Sequence, residues 1–327
     1  MSNETTAFEI KQATRQGVKP LVGLFGPSGG GKTMSALLLA RGLVGPSGRI
    51  VGVDTESGRM SLFADVIPGG FSVIDLAEPF SPSRYQAAIE AAEAGADCVV
   101  VDSLTHGWDG PMGVLDMHEK ELDRMAGDNW GKREQCKMTA WIKPKMEQKR
   151  FVQRLLRLKC PLICCLRAQE KTHIQKNAQG KAEVYTDEFT SPIYDPRFIF
   201  ELTINGEVYS RDGVGGFVHW TKITHPGVRP ILPGEGKQID VAFGERLAQW
   251  CQTPGQSPKT QPSPTGGELA AIKKQFVALV PVDLRRDPAA MQTWSVDEAV
   301  IDPDWQLTTM ETEQFTAAIA RLKRKTL

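Results

Sequence analysis

Residues Gly26-Pro27-Ser28-Gly29-Gly30-Gly31-Lys32-Thr33 spell G-x-x-x-x-G-K-T, between an apolar run (Leu21-Val22-Gly23-Leu24-Phe25) and a helix-forming run from Met34 to Leu43. The frame carries as much weight as the motif. A strand delivers the loop, the glycines let backbone N–H groups turn inward, and the N-terminus of the next helix faces an anion. Lys32 is then placed to reach the β- and γ-phosphates of a nucleoside triphosphate, and Thr33 to offer its hydroxyl to Mg²⁺. The segment Gly26 to Met34 is the candidate phosphate cradle, with ATP and Mg²⁺ as expected ligands. The competing reading, a glycine-rich turn before a helix, explains the glycines but not Lys32, Thr33 and the frame together.

Short apolar runs alternate with helical patterns from Leu21 to Leu166. Strands are predicted at 21–25, 50–53, 72–75, 98–101 and 162–166, and helices at 33–43, 82–94, 113–125 and 144–158. The strand runs are continuously apolar, as in strands buried on both faces. The alternation predicts an α/β fold with a mostly parallel sheet. After residue 198 the texture changes to strand-like runs at 198–204, 207–211, 216–224 and, weakly, 228–232. Asn205-Gly206 and Asp212-Gly213 read as hairpin turns, which predicts an antiparallel C-terminal extension closed by a helix at 241–251. Residues 253–267 hold four prolines among Ser, Gln and Gly, and read as a linker. The expected plan is a flexible N-terminus (1–18), a core (19–252), the linker (253–267) and a small helical C-terminal region (268–327) with an acidic, irregular middle.

Composition narrows the classes. Lys+Arg and Asp+Glu both number 39, so any nucleic-acid contact must come from local clusters. The six cysteines show no zinc-type spacing and several lie in apolar strands. No stretch approaches the ~20 apolar residues of a membrane helix. A reducing, cytoplasmic location without membrane contact is the expectation.

The segment Cys98-Val99-Val100-Val101-Asp102-Ser103 ends an apolar strand in Asp102, the form of a Walker B strand whose carboxylate holds Mg²⁺ beside Thr33. Between the two motifs lies Ile50-Val51-Gly52-Val53-Asp54-Thr55-Glu56-Ser57-Gly58. With this D-T-E-x-G form, V-V-D-S, the nearby Trp108 and an R-A strand end at Arg167-Ala168, residues 21–249 resemble the RecA-like ATPases, most closely the phage-encoded type linked to single-strand annealing and recombination. The resemblance implies a RecA-like core. It implies that Glu56 polarises the attacking water, that Gln169 or Arg167 senses the γ-phosphate, and that Lys222, or more weakly Arg229, reaches a neighbouring subunit's nucleotide in a ring or filament. Lys222 reads equally as an ordinary cross-strand surface lysine.

In that architecture two loops hold DNA. The corresponding stretches here are 105–139, with Trp130, Lys132 and Arg133, and 169–196, with Lys171 and Lys176. An aromatic beside cations suits sequence-independent binding of single-stranded DNA. Lys143, Lys145, Lys149, Arg150, Arg154 and Arg157 crowd one helix, either a second basic surface or a solvated face. The C-terminal region could dock on the core or on a single-strand binding protein. The alternatives are a hexameric motor or helicase, a nucleotide-gated interaction protein, and a small-molecule kinase. GTPases are disfavoured because no N-K-x-D motif follows a strand.

Overall fold

Apolar side chains on both faces of the central strands place the sheet in the middle of a layered fold. The computed structural model describes residues 15, 17–170, 172–176, 182–186, 190–234, 236–253, 266–302, 304–310 and 312–325. Strand β1 (Leu21–Gly26) leads through the glycine loop into α1 (Lys32–Val44), then β2 (Ile50–Asp54), β3 (Ser72–Asp75), α2 (Pro82–Gly95) and β4 (Cys98–Asp102). A helical stretch follows: α3 (His106–Asp109), α4 (Val114–Ala126), α5 (Trp130–Cys136) and α6 (Ile142–Leu155). Next come β5 (Leu162–Gln169), the hairpin β6 (Thr172–Lys176) and β7 (Ala182–Thr186), β8 (Ser191–Pro192), α7 (Phe198–Glu201), β9 (Ile204–Arg211), β10 (Val214–Ile223) and α8 (Val241–Gln252).

The main sheet runs β10-β9-β1-β5-β4-β2-β3, with β8 attached to the end of β5. All neighbours from β9 to β3 pair in parallel, and β10 is antiparallel to β9. Along the central strands β1, β4 and β5 the side chains alternate between two cores. Leu21, Phe25, Val99, Val101, Leu162 and Cys164 face Tyr85 and Ile89 of α2 and Phe151 and Leu155 of α6. Val22, Leu24, Cys98, Val100, Ile163 and Cys165 face Leu37 and Leu39 of α1 and Phe243 and Leu247 of α8. Each such side chain contributes roughly 1.5–3 kcal/mol on burial, so the continuous apolar runs need both layers. Helices α1 and α8 touch backbone to backbone: a Cβ on Gly42 would lie 2.0 Å from the carbonyl oxygen of Val241, and one on Gly244 2.4 Å from that of Leu39.

Several local expectations are corrected. Asn205-Gly206 lies inside β9, not in a turn, because Ile204 to Glu207 pair with β1. Gly206 is small because the Trp220 ring of β10 crosses over it. The hairpin turn is Asp212-Gly213 alone, both at positive φ (53° and 78°). The run at 198–204 divides into α7 and the start of β9, and Pro226–Ile231 is a 3₁₀ helix because Pro226 and Pro230 have no N–H for a ladder. The stretch 105–139 is largely helical, and 169–196 contains the β6–β7 hairpin.

The described residues divide into two units, one spanning 15–253 and one spanning 266–325. In the second, α9 (Gly266–Leu279), α10 (Pro288–Asp297) and α11 (Thr312–Lys325) gather a core of Phe276, Val280, Val300, Ile301, Met310, Phe315 and Ile319. Its middle, expected to be irregular, holds α10. Asp287 caps that helix by accepting from the N–H groups of Ala289 and Ala290. No helix among the described residues is long and apolar enough to cross a membrane.

Candidate nucleotide site

Parallel pairing brings the C-terminal ends of four strands to one edge. Gly26 of β1 is level with Arg167 of β5, and Asp54 of β2 with Asp102 of β4. The glycine loop leaves β1 and enters α1 through Gly31, whose φ of 92° is left-handed. The loop rests on the β9–β10 hairpin: the N–H of Gly216 donates to the Gly30 carbonyl at 2.8 Å. A Cβ on Gly31 would come within 2.5 Å of that nitrogen, and one on Gly30 within 2.6 Å of the Val208 carbonyl oxygen. The register of β10 shifts between Val214 and Phe217, around Gly215-Gly216. This supporting role escaped sequence reasoning, although paired glycines inside a strand pattern signal a bulge or close backbone approach.

The side chains of the loop meet groups from the neighbouring strands. Lys32 Nζ donates to the carbonyls of Gly26 (3.0 Å) and Pro27 (2.8 Å). Thr33 Oγ1 donates to Asp102 Oδ2 at 2.5 Å. Burial pushes the Asp102 carboxyl up to about 6, against the pull of the Thr33 hydrogen bond and with the added repulsion of Glu56. The Asp102–Ser103 peptide bond is cis.

Glu56 is placed by its own turn. Asp54, buried at the end of β2, accepts from the N–H of Glu56 (2.6 Å) and of Met60 (2.9 Å), which holds the loop after the strand. Arg167 donates to Glu56 Oε1 from Nε (3.2 Å) and Nη2 (2.9 Å), and Arg59 approaches Oε2 at 3.4 Å. Burial opposes ionisation of Glu56, but the hydrogen bonds and charge of Arg167, with His106 and Arg59, outweigh it and hold the carboxyl below its ordinary value. Thr55 ties the same turn to β4 by accepting from the Ser103 N–H (2.8 Å) and donating to the Ser103 carbonyl (3.1 Å). His106 Nδ1 lies 2.8 Å from the Thr55 hydroxyl, and burial and the Arg167 charge hold the imidazole below its ordinary pKa.

These groups enclose a cavity of about 810 Å³ lined by Gly29, Gly31, Lys32, Thr33, Glu56, Asp102 and Arg167. Arg59, Leu62 and Phe63 form part of its wall beside Met34. Sequence reasoning missed these three. Their signal was a non-periodic apolar turn directly after Glu56, in which Leu62 stays 77% exposed.

The remaining candidates lie elsewhere. Gln169 is exposed at the end of β5, outside the cavity lining. Lys222 Nζ donates to the carbonyls of Ile199 (2.8 Å) and Phe200 (2.6 Å) at the end of α7, and burial lowers its pKa. Arg229 is exposed on the 3₁₀ helix. Trp130, 75% exposed, and exposed Lys132 begin α5, whereas Arg133 is engaged by Asp123 and by Glu119 at 3.0 Å. Lys171 lies outside the described residues, and Lys176 falls in β6. Part of the basic run on α6 is neutralised, Arg154 by Glu90 and Glu93 and Lys143 by Glu121.

The donors fit a triphosphate and its magnesium ion. The cradle is loop backbone in which Gly26, Gly30 and Gly31 leave no room for a Cβ, with an ammonium at its edge. Among the described residues no group of three or more His, Cys, Asp or Glu side chains could hold a metal. One hydroxyl and one carboxylate, Thr33 and Asp102, suit Mg²⁺, whose other ligands come from phosphates and water. No curated protein matches the chain. The profile of the AAA domain matches residues 19–194, more than half of the chain and all of the cavity-lining residues named above. The chain therefore belongs to the AAA domain family of P-loop ATPases.

Proposed function

We propose that this protein hydrolyses ATP with Mg²⁺ in the cavity between the P-loop and Glu56, and that it acts on single-stranded DNA in recombination or annealing of the phage type. The observation carrying the hydrolytic part is the convergence of Lys32, Thr33, Asp102 and Glu56 from separate strand ends onto one cavity. The loop backbone and Lys32 bind the β- and γ-phosphates, and Thr33 and Asp102 hold the metal. Mg²⁺ would neutralise charge on the bridging phosphate oxygens. Glu56, fixed by the Asp54 turn, orients the attacking water and accepts its proton. Arg167 lies on the same wall and meets the γ-phosphate. Leu62, Phe63 and Met34 offer the apolar wall against which a base packs.

Exposed Trp130 with Lys132 on α5, which follows the Asp102 strand, supports the nucleic-acid part. Assembly into a ring or filament accords with the resemblance, with Lys222 or Arg229 as the residues offered to a neighbour. Phosphate release from ATP, measured with and without single-stranded DNA, tests the proposal. Stimulation of about tenfold or more is expected. Turnover indifferent to DNA would sink the nucleic-acid part, and phosphate transfer to a small molecule would replace hydrolysis with a kinase activity.

A further inference from the structure

We propose that Arg167 is a positioning residue that exchanges between two anions, clamping Glu56 in one state and binding the γ-phosphate in the other, so that the water-orienting carboxylate is released only by a triphosphate. The inference rests on the nucleotide reading above. Both donors of the Arg167 fork fall on a single oxygen, Glu56 Oε1, at 3.2 and 2.9 Å. An oxygen with two lone-pair directions so engaged has none left for a water. The second oxygen faces Arg59 at 3.4 Å. A carboxylate held between two guanidinium groups is also a weaker base than a free one.

The anchoring of Arg167 favours an exchange over a fixed pair. Its N–H donates to Thr105 Oγ1 at 2.8 Å, and its carbonyl accepts from the N–H of Ile193 at 2.8 Å, so its main chain is held from both sides. Its side chain is 48% exposed and lines the same cavity as Lys32 and Thr33. The guanidinium can therefore change partner by rotating its side chain while β5 stays in place. Arginine suits this use because its fork matches carboxylate and phosphate oxygens alike. A γ-phosphate carries more charge than Glu56 and competes for the same donors, whereas a diphosphate ends one group short.

The proposal makes the Glu56–Arg167 pair and triphosphate binding energetically antagonistic, which a double-mutant cycle measures. Binding of AMP-PNP and of ADP, each with Mg²⁺, is measured calorimetrically on the full chain for wild type, Glu56→Gln, Arg167→Ala and the double variant. With Arg167 present, Glu56→Gln frees the guanidinium and tightens AMP-PNP roughly tenfold, leaving ADP within about twofold. With Arg167→Ala the same change alters AMP-PNP by less than about twofold. An equal gain in both backgrounds would mean simple carboxylate–phosphate repulsion and would overturn the clamp while leaving the nucleotide site intact. A gain seen equally with ADP would overturn it too. Failure of wild-type protein to bind either nucleotide would overturn the nucleotide reading, and the clamp with it. A merely structural Arg167 would move both nucleotides together, so the selectivity for AMP-PNP separates the two roles.

Discussion

Asp102 is the residue at which the demands of folding and function conflict most directly. Its carboxyl is pushed from an ordinary 3.8 up to about 6, chiefly by burial. A raised carboxylate pKa means that the ionised form is costly in the fold. The cost is absent below about pH 4, where folded and unfolded chains are both protonated, grows as pH rises to about 6, and is constant above. Its size is on the order of 2–3 kcal/mol. Asp102→Asn keeps an acceptor for Thr33 and removes the charge. In the absence of Mg²⁺ it should therefore raise the melting temperature at pH 8 by roughly 5 °C and leave it unchanged at pH 4; equal melting curves at pH 8 would show that the carboxylate is not strained. Lys32 is the opposite case. Its ammonium contacts only loop carbonyls at the cavity edge, so Lys32→Ala should scarcely move the melting temperature while weakening ATP binding at least about a hundredfold. Of these residues, Lys32, Thr33, Glu56 and Asp102 were legible because chemistry restricts their types and spacing. Arg59 and Phe63 were not, since an ordinary turn bears the same residues, and only the fold shows that the turn lines the cavity.

At the scale of elements, α1 has two tasks, carrying Lys32 and Thr33 at its start and packing on α8 through Gly42. Gly42→Val would drive a side chain into the Val241 carbonyl, and separating the helices should cost about 1–3 kcal/mol. Because the phosphate cradle rides on α1, nucleotide affinity should fall with stability. Denaturant unfolding beside nucleotide titration checks this, and an unchanged unfolding midpoint would contradict the close packing. The P-loop likewise depends on Gly216 in the β9–β10 hairpin. Strands β1, β2, β4 and β5 were readable because their residues are apolar on both faces, whereas β3, at the sheet edge and partly exposed, offers only Val73 and Ile74. The hairpin was misread at Asn205-Gly206, where tertiary pairing with β1 overrode the turn propensity of the dipeptide. The connection after β4 was legible in part: the helix expected at 113–125 is α4, whereas the short α3 and α5, which pack on α4, carry too few turns to show a period.

At the scale of the whole molecule, the chain is two compact units joined through a proline-rich stretch, each with its own buried core. The prediction is independence of the ATP site. A chain ending at residue 255 should retain ATP binding within about threefold, and a loss larger than tenfold would show that the C-terminal unit completes the site. The cavity that joins the ends of β1, β2, β4 and β5 is the centre of the account, and its claim is that Glu56 serves turnover and not binding. The direct measurement is phosphate release from Mg²⁺-ATP by the full chain and by its Glu56→Gln variant, with nucleotide binding recorded on the same samples. In the variant, binding should be retained or tightened and phosphate release reduced at least about a hundredfold; turnover equal to wild type would mean that Glu56 does not orient the water.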